Sequence, residues 1–398
     1  MQHHRSGMAR PAIWAALVAL ALLAACGGSG GGSPDAPPAV APVRDLTPAG
    51  TLSLRDAGSV TGVAASGRVI YIASPRGLLI VDARALSAPT MTMLPPRPSS
   101  FPNPYDAVWH VAAEGSLLAI YSSFECYCLG MWGNPGLDTF DVSDPVNLRR
   151  LAGPYISASR DVQIQGGSIY VSNREFSPDH PRGDFMLDAA RPSASGWTIA
   201  STLSRDGGGG IQQELRMAAA GPLLAGSGRL LVPFATSPTT LGFDEYNELP
   251  SGAFQLRARS AEVAEHNERV SAVEGGGRLF WVAGYATLMS VRRDALTAPP
   301  VVVQLPAAAT SVAWQAGSTP TLWVALGSAG VAGYDVADPA RPRLVARMAT
   351  PEPAWHVSIH DGYGVVITAR TTGDAPPAGS SLLERSTHSQ DLHVFALP

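Results

Sequence analysis

A short apolar strand that recurs seven times along the chain is the feature that most constrains its fold. The copies are rich in β-branched and aromatic residues, and most of them closely follow a glycine turn, which is the pattern of a β-strand bounded by turns. The copies are Arg68–Ile72, Ser116–Ile120, Ser168–Val171, Arg229–Val232, Arg278–Val282, Thr321–Val324 and Tyr363–Ile367. Several strands in each period of roughly 50 residues are typical of the blades of a β-propeller.

Further strands accompany the repeated one. A third strand ends near an aspartate in four copies, at Asp82, Asp141, Asp188 and Asp335, and we expect these side chains to cap turns. Fourth strands are predicted at Thr90–Leu94, Leu148–Leu151, Trp197–Leu203, Val301–Leu305 and Arg343–Met348. The sequence therefore predicts an all-β fold, a seven-bladed β-propeller with four-stranded antiparallel blades.

The seventh copy ends at the C-terminus without a fourth strand of its own. The segment Gly50–Leu54, at the other end of the domain, has the pattern of the missing strand. Closing the ring with it would hide two sheet edges that otherwise invite association. The fourth copy, at about residues 217–260, has the weakest pattern, so six or eight blades stay open as alternatives.

The third strands also carry a family resemblance. The run Gly77–Asp82 (GLLIVD) and the Asp-Val-Ser-Asp-Pro and Asp-Val-Ala-Asp-Pro runs at 141–145 and 335–339 resemble the LVIVD-repeat proteins. The resemblance covers roughly residues 50–398. It implies an envelope propeller of bacteria or archaea, and it implies no active site.

The N-terminal segment has the character of a targeting signal. Arg5 and Arg10 form a basic start and Pro11–Ala25 an apolar run that is too short to span a membrane. The sequence Leu-Ala-Ala-Cys-Gly at 23–27 resembles the bacterial lipoprotein box, which implies that Cys26 is lipidated. By the same resemblance, the absence of an aspartate at position 27 implies the outer membrane of a Gram-negative cell. An ordinary signal peptide that ends beside a cysteine is the alternative.

Composition completes the domain organisation. We expect a signal peptide over 1–25, the lipidated cysteine with a flexible Gly/Ser/Pro-rich tether over 26–49, and the propeller over 50–398. All 28 basic residues are arginines, and the net charge is −4. This balance argues against a nucleic-acid partner, because such proteins are strongly basic.

Long connections are predicted on one face of the ring only. The turns between first and second strands are short, whereas second-to-third and inter-blade connections, which share the opposite face, are long. The long connections are Ser122–Gly136, Asn173–Gly183, Ala235–Gly252, Arg370–Gln390, Pro95–Tyr105 and Ser204–Leu215. We expect this face to carry the function, because function usually lies on loops held by a rigid scaffold.

The first strands hold candidate ligands for the central channel. Trp-His-Val occurs twice, with His110 and His356, and carboxylates lie nearby at Asp106 and Asp161. Imidazoles and carboxylates around a channel are able to bind a metal or a small anion. In the alternative, the tryptophans pack between blades and the histidines are hydrogen-bonded or solvated.

Cys126 and Cys128 are the remaining thiols once Cys26 is lipidated. In an oxidising compartment they are expected to pair, and a bridge across one residue is a strained small ring. Closure of the loop, redox activity and binding of a soft metal together with Met131 are the three alternatives for this pair. The chain has no Cys-Xaa-Xaa-Cys motif, phosphate loop, dinucleotide fingerprint or nucleophile elbow.

These observations predict a monomeric, non-catalytic propeller in the bacterial envelope. It would be held at the outer membrane by its lipid and would present its long-loop face to a protein or glycan partner, without a cofactor. The alternative is a metal-dependent enzyme or ligand sensor with its site in the channel mouth, and a weaker one is a redox or copper-handling protein.

Overall fold

A computed structural model describes the chain from Pro42 to the C-terminus, with gaps. The described residues are 42–74, 76–94, 107–123, 136–145, 147–151, 159–175, 184–193, 196–205, 224–226, 229–234, 240–251, 253–261, 263–264, 270–371 and 387–398. Cys26, Asp106, Cys126 and Cys128 lie outside them.

The strands form seven sheets, each the blade of a β-propeller. Blade 1 holds β3 (Gly62–Ser66), β4 (Val69–Ser74), β5 (Gly77–Asp82) and β6 (Thr90–Leu94). Blade 2 holds β7 (Ala107–Glu114), β8 (Leu117–Ser123), β9 (Gly136–Asp141) and β10 (Arg149–Leu151). Blade 3 holds β11 (Ser159–Gln165), β12 (Ser168–Glu175), β13 (Asp184–Ser193) and β14 (Gly196–Arg205). Blade 4 holds β15 (Leu224–Gly226), β16 (Arg229–Phe234), β17 (Thr240–Glu248) and β18 (Phe254–Arg259), and β19 (Val263–Ala264) also pairs with β17.

The remaining blades complete the ring. Blade 5 holds β20 (Ser271–Gly275), β21 (Arg278–Val282), β22 (Thr287–Arg292) and β23 (Val301–Gln304), with a short 3-10 helix at Arg293–Ala295. Blade 6 holds β24 (Ser311–Gln315), β25 (Thr321–Ala325), β26 (Val331–Asp335) and β27 (Arg343–Met348). Blade 7 holds β28 (Ala354–His360), β29 (Tyr363–Thr371), β30 (Thr387–Ala396) and, from the N-terminal side, β2 (Gly50–Ser53). The predicted seven blades and the closure by an N-terminal strand are both confirmed.

The hydrophobic core is divided among the junctions between blades. Seven clusters of buried residues are described, and each joins two neighbouring blades. Tyr71 and Val69 of blade 1, for example, pack with Val111 and Leu118 of blade 2. The two faces of a blade alternate along each strand, so one strand contributes to two clusters. Every blade therefore depends on both of its neighbours.

The N-terminal chain connects three blades. The strand β1 (Arg44–Asp45) adds in parallel to β27 at the outer edge of blade 6, and β2 then pairs antiparallel with β30 in blade 7. Gly50 at the start of β2 is pressed against the turn of blade 1. A Cβ atom there would lie 2.2 Å from the carbonyl oxygen of Leu86 and 2.6 Å from Cδ of Pro89. The residue has to be glycine because the backbones approach too closely for a side chain.

Three of the predicted turn caps are confirmed. Asp82, Asp141 and Asp335 end their third strands, and the side chain of each accepts a hydrogen bond from the backbone N–H two residues later, at 3.0, 2.9 and 3.0 Å. Asp188 differs, because β13 continues past it to Ser193 and the side chain is buried in the middle of the strand.

The predicted connection Ala235–Gly252 is wrong for most of its length. Its residues 240–248 form β17, the third strand of blade 4, so the second-to-third connection is short. The sequence did not predict this strand because two acidic residues in it, which are buried in the structure, are typical of an exposed loop. Asp244 forms an ion pair with Arg259 at 2.8 Å, and Glu245 forms one with Arg257 at 2.8 Å.

We predict that Gly50→Ala lowers the free energy of unfolding by about 1–3 kcal/mol, because the new methyl group overlaps the backbone of blade 1. Denaturation by urea would measure the loss. Gly317→Ala is the matched control, since a Cβ there meets only the carbonyl oxygen of Thr319 at 4.0 Å. A Gly50→Ala variant as stable as the control would contradict the close approach.

Candidate functional site

The seven first strands surround the central channel and run in the same direction. Each contacts the first strands of the neighbouring blades, in the cyclic order β3, β7, β11, β15, β20, β24 and β28. The first residues of these strands lie at the face where the inter-blade connections enter. In each antiparallel blade the second-to-third connections leave on that same face, so this end of the channel is the mouth of the long-connection side.

Six first-strand residues occupy one level at this mouth. Each immediately precedes the residue whose backbone pairs with the fourth residue of the second strand, as Val111 pairs with Ile120 and Val312 with Val324. We call this set the mouth layer: it consists of Gly62, His110, Asp161, Ser271, Ser311 and His356. The counterpart in blade 4 lies outside the described residues.

A β-bulge precedes three members of the mouth layer. The register shifts between Val108 and His110 in blade 2, between Ser159 and Asp161 in blade 3, and between Ala354 and His356 in blade 7. A bulge re-aims the side chain that follows it. The three titratable members of the layer are the three that follow a bulge.

His110 and Asp161 are brought together across the junction of blades 2 and 3. Nδ1 of His110 lies 3.8 Å from Oδ1 of Asp161, and the two side chains are 28% and 17% exposed. The same Oδ1 accepts a hydrogen bond of 2.9 Å from the backbone N–H of Val162, which holds the carboxylate in place. At 3.8 Å the two groups attract each other strongly only when the imidazole is protonated.

His356 has a different partner. Its Nδ1 lies 3.5 Å from Oγ of Ser311, which belongs to the preceding blade. The first strand of blade 1 stands between the strands of His356 and His110. The two predicted channel histidines therefore contact different neighbours, with Asp161 in blade 3 beside one and Ser311 in blade 6 beside the other.

The serines of the mouth layer have a structural task that the sequence did not reveal. Oγ of Ser271 accepts a hydrogen bond of 3.0 Å from the N–H of Val312 in the next blade, and Oγ of Ser311 accepts one of 3.3 Å from the N–H of Val357. At blade 1 the corresponding residue is Gly62, and a Cβ there would lie 3.4 Å from the N–H nitrogen of Val111. An alignment on the first strands, rather than on the more regular second strands, would have placed these residues in one layer.

The described residues hold no cluster of three or more His, Cys, Asp or Glu side chains that could bind a metal ion. Asp106, the fourth predicted channel ligand, is outside the described part of the chain, as are Cys126 and Cys128. No helix within the described ranges has the length and apolar character of a transmembrane span.

Comparison with known proteins supports the repeat. The family model of the LVIVD repeat matches residues 57–94, which contain all four strands of blade 1. Among solved structures, the chain is similar to the computationally designed Ika8 protein, with a TM-score of 0.47, 9% identity, and coverage of 86% of this chain and 97% of that one. No curated protein matches the sequence. The chain is thus a seven-bladed propeller that carries an LVIVD repeat.

The mouth layer makes a prediction about stability. Gly62→Ser should place a hydroxyl opposite the N–H of Val111, as Ser271 does for Val312, and raise the free energy of unfolding by about 1 kcal/mol over Gly62→Ala. The alanine variant controls for the backbone entropy of glycine. Urea denaturation of both variants would measure the difference, and equal stabilities would show that the layer is not equivalent from blade to blade.

Proposed function

We propose that this chain is a lipid-anchored, non-catalytic binding scaffold of the bacterial envelope, whose long-connection face captures a protein or glycan partner. The observation that supports it most is the inequality of the two faces. Long connections enter or leave the ring at 95–106, 124–135, 206–223 and 372–386, all on the side of the mouth layer. They belong to blades 7 and 1 to 4, whereas blades 5 and 6 have short ones.

The opposite face is held together by contacts between its turns. The carboxylate of Glu114 in blade 2 accepts hydrogen bonds of 3.1 Å from the N–H groups of both Gly166 and Gly167 in blade 3. The ring of Trp314 in blade 6 lies against Gly275 in blade 5, where a Cβ would come within 2.0 Å of it. Most first-to-second turns on this face have two residues, and its third-to-fourth connections between described strands, such as 83–89 and 293–300, have no more than eight. These connections are shorter than the long ones of the other face, which favours the long-connection face.

The geometry of the mouth layer favours binding over catalysis. A serine nucleophile of the Ser-His-Asp type needs a histidine and a carboxylate in one relay. Ser311 and His356 are paired at blades 6 and 7, whereas the carboxylate of Asp161 is beside His110 at blades 2 and 3. Ser311 also donates a hydrogen bond of 3.3 Å to the carbonyl of Val357, so its hydroxyl is already used.

The lipid anchor is supported by the sequence at Cys26. The compact unit that holds the propeller begins at Pro42, and β1 follows at Arg44. A Gly/Ser/Pro-rich tether over 27–41 would span on the order of 20 Å on average. We therefore propose a propeller held close to the outer membrane, within reach of envelope partners, and a net charge of −4 gives no reason to expect nucleic acid.

The scaffold proposal predicts the outcome of crosslinking in cells. Replacing 124–135 by a short Gly-Ser turn between Ser123 and Gly136 should abolish capture of the partner, because the long connection forms part of the binding face. The captured proteins and glycans would be identified by mass spectrometry, and thermal unfolding would show that the ring is intact.

The matched control lengthens the turn at Gly115 and Ser116 on the opposite face by the same number of residues, and it should leave capture unchanged. Replacing 206–223 in the same way tests the other side of the face. Capture that survives both replacements would count against this face. Cys26→Ser should release the protein from the membrane fraction without abolishing capture in detergent extracts.

The contact of His110 with Asp161 favours a second candidate, a ligand-binding site in the channel mouth. This candidate predicts that the purified propeller binds about one equivalent of Zn²⁺ and that Asp161→Asn weakens binding on the order of tenfold or more. Isothermal titration would measure both. His360→Gln, at the far end of a first strand, is the control, and equal Zn²⁺ affinities in all three proteins would exclude this pair as ligands.

A further inference from the structure

We propose that blade 7 is an acid-sensitive clasp: protonation of His393 and His360, one at each of its two junctions, loosens the blade and opens the ring at its closure. Blade 7 takes its outer strand β2 from the opposite end of the chain. No direct connection joins β2 to β30, so only non-covalent contacts hold the ring closed there. This inference does not depend on the proposed function.

His393 lies at the junction of blades 7 and 6, inside the closure itself. His393 pairs with Thr51 across β30 and β2, and its Nδ1 lies 3.0 Å from the hydroxyl of Thr51. The side chain is 3% exposed, and Nε2 is buried without a hydrogen-bond partner. A protonated ring would place a charge and an unsatisfied N–H in this apolar setting, which is unfavourable.

His360 lies on the other side of the blade, at the junction with blade 1. It pairs with Tyr363 across the turn between β28 and β29, and the two ring centroids are 5.2 Å apart. The hydroxyl of Tyr363 donates a hydrogen bond of 3.0 Å to the carbonyl of Gly67 in blade 1, which ties the two blades together. Nε2 of His360 lies 3.0 Å from Oγ of Ser358.

The groups near His393 and His360 do not offset the unfavourable free energy of a positive charge on either ring. Burial lowers the pKa of His393, against a weaker opposing effect of Asp391 on the same strand. The backbone partner of His393 in β29 is Val366, and the buried residues of the cluster at this junction, such as Val366 and Trp323, are apolar. Burial also lowers the pKa of His360 to about 4, against a weaker effect of Asp361. Arg68 of blade 1 and Asp361 are the charged groups that act on the adjoining Tyr363.

The direction of the pH effect follows from proton uptake. An unfolded or released imidazole binds a proton near pH 6.5, whereas the rings in the closed form stay neutral to lower pH. Between these values the open form binds more protons than the closed one. The contribution of the two histidines to closure is therefore fully present above about pH 6.5 and is lost as the pH falls from there toward the lower folded values. Most carboxylates titrate below this window, so their protonation is separable.

Hydrogen exchange followed by mass spectrometry tests the clasp on the intact chain. Protection of Gly50–Ser53 and Leu392–Val394, corrected for intrinsic exchange, should fall about tenfold or more between roughly pH 7.5 and pH 5.5. Protection of β23 in blade 5, an outer strand without a histidine in its blade, should change little. In the double variant His393→Asn and His360→Gln, whose amides can keep the bonds to Thr51 and Ser358, the closure should lose its pH dependence.

Two results would overturn the proposal. Unchanged protection of β2 across this pH range in the wild type would do so, and that measurement needs no variant to fold. Equal loss of protection in β2 and β23 would indicate general destabilisation of the ring rather than a clasp. If the double variant does not fold, each single variant should retain part of the pH dependence, and full dependence in both would also contradict the role of these rings.

Discussion

Burial of apolar side chains between neighbouring blades is the interaction on which the rest of this structure depends. Each described cluster of the core joins two blades, and the largest fully buried side chains, Trp281 and Trp323, lie in such junctions. A four-stranded sheet with two apolar faces is not stable by itself, because each face has to be buried against another sheet. Both faces of every blade are buried only if the ring is closed. Closure is therefore a condition for the whole fold, and it explains why the chain brings β2 from its N-terminal side to blade 7.

Much of this architecture follows from the sequence because apolar strands and glycine turns are local signals. The seven second strands, five of the fourth strands and the closure strand were predicted from them. The third strand of blade 4 was missed because its burial depends on partners distant in sequence: Glu245 is fully buried beside Arg257, and also lies 3.0 Å from Arg293 of blade 5. A local pattern predicts an exposed loop for such acids. Only the assembled junction, with its arginines, makes their burial tolerable.

The candidate site was predicted only in part, because its geometry also depends on contacts between blades. His110 and Asp161 were recognised by their chemistry, and the ring brings them together. Their spacing of 3.8 Å could not be predicted, because it depends on bulges in two separate strands and on the packing of blade 2 against blade 3. Ser271 and Ser311 were missed because a serine in a strand carries no distinctive signal. Their role exists only in relation to the N–H group of the next blade.

The members of the mouth layer differ in how they contact the next blade. In blades 5 and 6 its serines bind the backbone of the following blade, so this position contributes to holding the ring together. In blades 2 and 3 the same position carries His110 and Asp161, whose side chains are 28% and 17% exposed at the mouth. Gly62 in blade 1 offers no side chain at all. Among the described positions, those without a serine bond to the next blade therefore lie in one arc, and the long connections at 95–106 and 124–135 belong to that arc. The serine hydrogen bonds of blades 5 and 6 contribute to the stability of the ring, and the side chains at the same position in the other blades are able to vary. This arrangement is expected of a scaffold that binds through one sector of one face.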